Sequence, residues 1–111
     1  SLHELIEILG ILIDNACESL ITQQKNDKKI RLELQESNDK MVIAVSNPSR
    51  YITFSETEKM FICGYSSKGE NRGIGLARVR ELMKKYNTEI RVFNNICNEI
   101  NWINFIIEIM K

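Results

Sequence analysis

The spacing of apolar residues changes along this chain from helical to strand-like, back to helical and again to strand-like. From Leu2 to about Gln24, apolar residues recur every three or four positions, which predicts a long helix packed on a core. Alternating polarity over 30–35 predicts a half-buried strand, and the apolar run Met41–Val45 predicts a more deeply buried one. The turn residues Asn38 and Asp39 join the two strands as a hairpin.

The second half of the chain repeats this change of period after a long interruption. Residues 46–73 keep no period, which predicts a long functional loop with one short helix near 56–61. The stretch from Leu76 to Tyr86 predicts a second long helix, and strands over 90–93 and 102–110 close the chain. This order predicts an α/β (α+β) two-layer sandwich, with helices on one face of a mixed, mainly antiparallel sheet.

Length and charge limit the classes of protein to which the chain can belong. Its 111 residues allow a single domain, 1–111, and its 15 basic and 15 acidic residues produce no overall field that would attract nucleic acid or a membrane. The three cysteines form no CxxC pair, which argues against a metal knuckle or a disulfide framework. No apolar run approaches the roughly 20 residues that span a bilayer. We expect a cytoplasmic domain without membrane contact of its own, excised from a longer chain.

A glycine-rich segment precedes the second long helix and predicts a phosphate site. Residues 64–76 lead onto a helix N-terminus, where free N–H groups and the helix dipole favour an anion. Lys68 and Arg72 add positive charge to this segment. This segment lacks the GxxxxGK[ST] motif of a P-loop. A dinucleotide-binding fingerprint directly follows a strand, and no clear strand precedes this segment. A tight turn into a helix would use the same residue types and stays an alternative.

The first helix carries polar residues among apolar ones. Asp14, Asn15 and Glu18 interrupt the apolar pattern, and the amide oxygen of an Asn on a rigid helix suits Mg²⁺. An amphipathic helix with a solvated polar face would look the same.

Together the two segments resemble a known pair of motifs. LGILIDNACES and GYSSKGENRGIGLARVRELMKKY are similar to the N-box and G-box of the ATPase superfamily of gyrase, heat-shock chaperone ATPases, histidine kinases and mismatch-repair proteins, the GHKL or Bergerat fold. They look most like sensor kinases that read peptide pheromones in quorum sensing. The resemblance runs from Leu5 to about Phe105 and implies a histidine kinase catalytic domain that uses ATP and Mg²⁺.

The resemblance also implies roles for particular residues. The Asn of the family's DNA triplet ligates Mg²⁺ and is Asn15 here. The family's adenine-binding Asp lies in a DxGxG motif after the second strand, where this chain has Asn47 followed by Pro48. An Asn-Pro turn that caps a strand is the alternative there. The remaining residues implied to contact ATP are those of the glycine-rich segment: Lys68, Arg72, Gly73, Gly75 and Leu76.

Two departures from the family pattern bear on the reaction. Ile11 stands where hydrolysing members have a Glu base and many kinases a second Asn, and Glu18 stands where other kinases often have a Lys. An apolar side chain cannot activate water, which favours phosphoryl transfer over hydrolysis and leaves Mg²⁺ one potential ligand short. His3 shares the helix of Asn15 and lies roughly 18 Å from it along the axis, too far to be the phosphoacceptor.

The resemblance therefore implies transfer of the γ-phosphoryl of Mg-ATP to a histidine on a separate dimerisation domain, with a response regulator as a further partner. A homodimer is expected only in the full-length protein. Two alternatives remain, a degenerate module that binds nucleotide or a partner without catalysis, and an anti-sigma-type serine kinase of the same fold. The aromatic residues are expected to pack in the core or lid rather than to form a ligand cage: Phe61, Phe93, Trp102 and Phe105.

Overall fold

The computed structural model describes residues 2–22, 29–62 and 73–110. Within these ranges the chain forms three helices and four strands. The helices are α1 (Leu2–Thr22), α2 (Phe54–Met60) and α3 (Gly73–Lys85). The strands are β1 (Arg31–Glu36), β2 (Lys40–Pro48), β3 (Ile90–Cys97) and β4 (Ile100–Met110).

The four described strands form one sheet in the order β1-β2-β4-β3, and each neighbouring pair is antiparallel. The register places Ile43 opposite Ile107 and Val45 opposite Phe105. Because residues directly opposite one another share a face of the sheet, the most buried side chains of β2 and β4 project to the same side. The predicted α+β architecture is confirmed.

The core lies between this face of the sheet and the helices, so the two-layer prediction is also confirmed. α1 and α3 both contribute apolar side chains that are almost completely buried. Burial of a Leu, Ile or Phe side chain stabilises the fold by about 1.5–3 kcal/mol. The members that are at most 2% exposed are Ile8, Leu12, Ala16, Ile43, Val45, Val79, Leu82, Met83, Phe105 and Ile107.

Ion pairs show that α1 and α3 run antiparallel. Near the start of α1, Glu4 accepts hydrogen bonds from Nζ of Lys85 (2.8 Å) and from the hydroxyl of Tyr86, both at the end of α3. One turn later, Glu7 accepts from Nε of Arg78 (3.0 Å), which lies nearer the start of α3. The hydrogen bonds from Lys85 and Tyr86 lower the pKa of Glu4 to about 2. The start of α3 therefore lies beside the middle of α1.

Residues with positive φ end α3 and connect β3 to β4. Asn87 (φ 56°) follows α3, and the N–H of Thr88 donates to the carbonyl of Met83 (2.9 Å), as in a Schellman motif. Asn98 (φ 51°) and Glu99 (φ 66°) form the two-residue turn between β3 and β4, where type I′ geometry requires positive φ at both positions. This turn extends β3 and β4 beyond their predicted limits.

The prediction that the first strand is half-buried is wrong. Leu32 and Leu34 lie opposite Val45 and Ile43, so they face the helix-covered side of the sheet. They are nevertheless 43% and 58% exposed, and every residue of β1 is exposed. The physical reason is that β1 is an edge strand and α1 packs over β2.

The predicted long loop is shorter than expected. β2 continues through Pro48, so Asn47 lies inside a strand and not in a turn. The short helix predicted near 56–61 is present as α2, where Thr53 and Glu56 form a capping box. Residues 63–72 lie outside the described residues.

The aromatic residues divide between core and surface. Phe61 and Phe105 are buried, as predicted. The prediction of a packed position is wrong for Phe93, which is 42% exposed because it lies opposite Asn104, on the face of the sheet away from the helices. Trp102 is half-buried, with the guanidinium carbon of Arg31 5.0 Å from the centre of its ring.

None of the helices described is both long and apolar enough to span a membrane. Cys17 and Cys97 are exposed free thiols, whereas Cys63 lies outside the described ranges.

Candidate nucleotide site

One side of α1 carries the residues that define the candidate site. Ile11, Asn15 and Ser19 are spaced at i, i+4 and i+8, so they lie in a row along this helix. The row spans roughly 12 Å, at a rise of about 1.5 Å per residue. Asn15, the predicted Mg²⁺ ligand, is half-buried in the middle of the row.

At one end of this row α1 meets the start of α3. A β-carbon placed on Gly75, the third residue of α3, would lie 3.1 Å from Cγ2 of Ile11. The two helices thus approach each other closely at this point, and Asn15 lies one turn, about 5.4 Å, further along α1. The N-terminal amides that the sequence predicts as a phosphate site are therefore next to the predicted Mg²⁺ ligand.

At the other end of the row, Ser19 is hydrogen-bonded to Asn47, the residue predicted to bind adenine. The amide nitrogen of Asn47 donates to Oγ of Ser19 (3.2 Å) and to the carbonyl of Pro48 (2.8 Å). Asn47 is only 1% exposed. Both hydrogen bonds use the amide nitrogen, which is the orientation required if the oxygen is to accept from an adenine amino group.

The start of α3 suits an anion. Its first turn contains no acidic residue that would neutralise the positive end of the helix dipole, and the basic residues Lys84 and Lys85 lie at the opposite, negative end. Gly73 begins the helix, as the glycine-rich segment predicts. Leu76 is 4% exposed and packs in the core, so we expect only its backbone to be available to a ligand. The donor types around the row, an Asn oxygen and helix N-terminal amides, fit Mg²⁺ and phosphate.

The remaining residues considered from sequence lie elsewhere or are not described. Lys68 and Arg72 lie outside the described residues. Asp14 is exposed, whereas Glu18 is half-buried. His3 is exposed near the start of α1, on the same helix as Asn15.

Ser19 was missed by the sequence reasoning, and so was a pair of asparagines beside the site. Asn94 exchanges two hydrogen bonds with the backbone of Ile52 (3.0 and 2.8 Å), and the carbonyl of Asn101 accepts from the N–H of Ser49 (2.9 Å). They hold the chain that leads from Asn47 to α2 against the end of the sheet. The helical spacing of Ser19 from Asn15 was a usable signal, but no local signal marks Asn94 or Asn101.

A groove of about 970 Å³ lies elsewhere, between α2, the end of α3 and β3. It contains none of the residues predicted to contact nucleotide. Its apolar lining includes Phe54, Phe61, Met83 and Val92. We therefore do not identify this groove with the nucleotide site.

The chain is similar to one known domain family and to sensor kinases. The model of the GHKL domain family matches residues 1–109. The chain is 36% identical over 93 residues to the sensor protein CitS of Bacillus subtilis, covering 84% of this chain, and 30% identical over 95 residues to the sensor histidine kinase CitA of Klebsiella pneumoniae, covering 85%. It spans 17% of the length of each of these proteins.

Among solved structures, the chain is similar to the nucleotide-free catalytic domain of histidine kinase ThkA. The TM-score is 0.73 at 21% identity, and the match covers 100% of this chain and 69% of that one. At this identity the likeness establishes the fold.

Proposed function

Because this chain belongs to the GHKL domain family, we propose that it binds Mg-ATP and donates the γ-phosphoryl group to a histidine on a separate dimerisation domain of a sensor kinase. The observation that carries the proposal is the row of Ile11, Asn15 and Ser19, which joins the start of α3 to the buried Asn47. An extended nucleotide lying along this row would have its phosphates at α3 and its base at β2.

The residues of the row and those at its two ends have distinct roles in this proposal. The oxygen of Asn15 holds Mg²⁺, which when bound neutralises phosphate charge. The amide oxygen of Asn47 accepts a hydrogen bond from adenine, while the carbonyl of Pro48 sets the amide orientation and Ser19 helps to hold the side chain in place. The backbone amides at the start of α3 cradle the phosphates. The residues assigned to phosphate binding are Lys68, Arg72, Gly73, Gly75 and Leu76.

The same geometry disfavours two competing reactions. Ile11 packs against the core and offers no base for water, so hydrolysis lacks general-base assistance. His3 lies roughly 18 Å from Asn15 along α1, beyond the reach of in-line transfer. The phosphoryl group therefore passes to a histidine outside this domain.

The wider setting belongs to the same proposal. The domain operates on the cytoplasmic side of a sensor that forms a homodimer in its full-length state, and the phosphoryl group continues to a response regulator. The resemblance to the pheromone-reading subgroup supports a quorum-sensing role. The relatives in the comparisons are sensor kinases, which supports the two-component setting.

The test uses radiolabelled ATP with the 111-residue chain alone and then with the histidine-bearing dimerisation domain of its parent protein. We expect no label on the chain alone, and slow labelling of the added domain, because the missing tether lowers effective concentration without altering the site. The His3→Gln variant should behave as wild type. Label on His3 in the chain alone would contradict the proposal. Nucleotide binding without label on either domain would favour a degenerate binding module instead.

A further inference from the structure

Gly75 lies so close to Ile11 that a side chain at position 75 would be crowded, and Ile11 would have to shift by a few tenths of an ångström to admit it. A β-carbon there would lie 3.1 Å from Cγ2 of Ile11, whereas carbon atoms pack best at about 3.5–4.0 Å. The φ of Gly75 lies outside the left-handed region that favours glycine. Position 75 therefore favours glycine because space is limited there, and not because of its backbone conformation.

A second helical glycine provides the contrast. A β-carbon on Gly10, in the middle of α1, would meet nothing within 4 Å. Gly10 and Gly75 are thus both helical glycines, but only Gly75 lies against another helix at contact distance. The close approach of α3 to α1 therefore explains why glycine occupies position 75, whereas no such contact accounts for Gly10.

The position of this contact connects it to the nucleotide site. Ile11 is one helical turn before Asn15 on the same side of α1, and Gly75 lies in the first turn of α3. A change in the separation of Ile11 and Gly75 would move the α3 amides relative to the oxygen of Asn15. In phosphoryl transfer, where catalysis consists mainly of positioning and charge neutralisation, such a displacement is costly.

We propose that Ile11 and Gly75 are positioning residues, whose mutual contact sets the distance between the Mg²⁺ ligand Asn15 and the phosphate-binding start of α3. This inference rests on the proposed function. It also assigns a role to Ile11, which as an apolar residue can neither ligate a metal nor activate water. Because Ile11 packs on the core, its side chain is held rigidly enough to act as a spacer.

The experiment measures Mg-ADP affinity by calorimetric titration, at a temperature well below Tm, for four variants of the chain: Gly75→Ala, Gly10→Ala, the double variant of Gly75→Ala with Ile11→Leu, and Ile11→Leu alone. Gly75→Ala adds a methyl group that would press on Ile11 and move α3 away from α1, and we expect it to weaken binding at least about tenfold. Gly10→Ala adds the same group in open space, so affinity should be unchanged and Tm higher. A change in stability alone would not alter the affinity of the folded domain, so the titration separates positioning from packing.

The third variant combines Gly75→Ala with Ile11→Leu. Leucine keeps the side-chain volume but moves the branch away from the β-carbon, which removes the Cγ2 methyl nearest Gly75. We expect this double variant to bind Mg-ADP within a few-fold of Ile11→Leu alone. If Gly75→Ala alone fails to fold, the inference is tested by comparing the affinity of the double variant with that of Ile11→Leu alone. A double variant that also fails to fold would overturn the inference.

Two results with a folded Gly75→Ala would overturn the inference: unchanged affinity, or a loss that Ile11→Leu does not restore. A wild-type chain that binds no Mg-ADP would be a different failure, because it would contradict the proposed function itself.

Discussion

At the scale of single residues, Ser19 connects the helix of the predicted Mg²⁺ ligand to the residue predicted to contact adenine. It accepts a hydrogen bond from the amide nitrogen of Asn47, which is almost completely buried. A buried Asn amide can be oriented in two ways, and the carbonyl of Pro48, which can only accept, selects the orientation with the nitrogen towards it. The hydroxyl of Ser19 adds a second hydrogen bond that holds the side chain of Asn47 in place. In the proposed site, Ser19 would therefore contribute to nucleotide recognition without having to contact the base.

We expect Ser19→Ala to weaken Mg-ADP binding several-fold and to lower the free energy of unfolding by about 1 kcal/mol. The matched control is Ser46→Ala. Ser46 is buried, whereas Ser19 is half-buried; it donates to Oδ1 of Asn104 (2.7 Å) and lies on the other face of the sheet. The control should lose similar stability in urea unfolding and keep wild-type affinity. Equal affinity losses in the two variants would contradict the role of Ser19.

At the scale of elements, the β3–β4 hairpin has a turn that its sequence does not favour. Type I′ turns favour glycine at the second central position because φ is positive there, yet Glu99 holds a φ of 66°. We expect Glu99→Gly to raise the free energy of unfolding by about 0.5–1 kcal/mol, because relief of the positive φ outweighs the greater entropy that glycine loses on folding. Urea denaturation measures this change. Glu99→Ala keeps the strain and should not gain this stability. A gain in both variants would point to loss of charge as the cause.

The short helix α2 depends on its N-terminal cap, because seven residues are too few for a stable isolated helix. Arg50 donates to both carboxylate oxygens of Glu56 (3.1 and 2.5 Å), and Glu56 also closes the capping box with Thr53. The hydrogen bonds from Arg50 are the main cause of a pKa of about 2 for Glu56, against an ordinary value of 4.5.

A pKa lowered by folding means that Glu56 stabilises the fold fully above about pH 4.5 and loses this contribution as the pH falls towards 2. Glu4 acts in the same direction and over the same range. We expect Glu56→Gln to be less stable than wild type at pH 6, with the difference shrinking at pH 3, as measured by thermal unfolding. Gln can still close a capping box, so the variant isolates the charge. A pH-independent difference would contradict this assignment.

At the scale of the whole molecule, periodicity was enough to predict the order of elements, because both long helices bury one apolar stripe and the buried apolar side chains of β2 and β4 share one face of the sheet. It failed for β1, since Leu32 and Leu34 alternate as in a half-buried strand but no described helix covers them. Whether a helix packs over a strand depends on the tertiary structure, which the alternation of apolar and polar residues does not reveal. The turn at Asn98 and Glu99 was missed for a local reason, because it lacks the Asn-Gly signature.

The candidate site was predictable to the extent that its residues lie in motifs. Asn15 and the glycines of α3 stand out in the sequence, whereas the hydrogen bond between Ser19 and Asn47 joins residues 28 positions apart. The proximity of Ile11 to Gly75 likewise depends on how two helices cross. Contacts of this kind follow from packing and leave no pattern in a single sequence.

We propose that this domain binds a magnesium nucleotide through Asn15, and calorimetric titration with ADP can decide whether it does. We expect binding in the micromolar to millimolar range that strengthens when Mg²⁺ is added, together with a higher Tm at excess nucleotide. Asn15→Ala should lose the strengthening by Mg²⁺ and retain weak binding of ADP alone. Absence of both heat and a shift in Tm for the wild-type chain at millimolar Mg-ADP would contradict the claim.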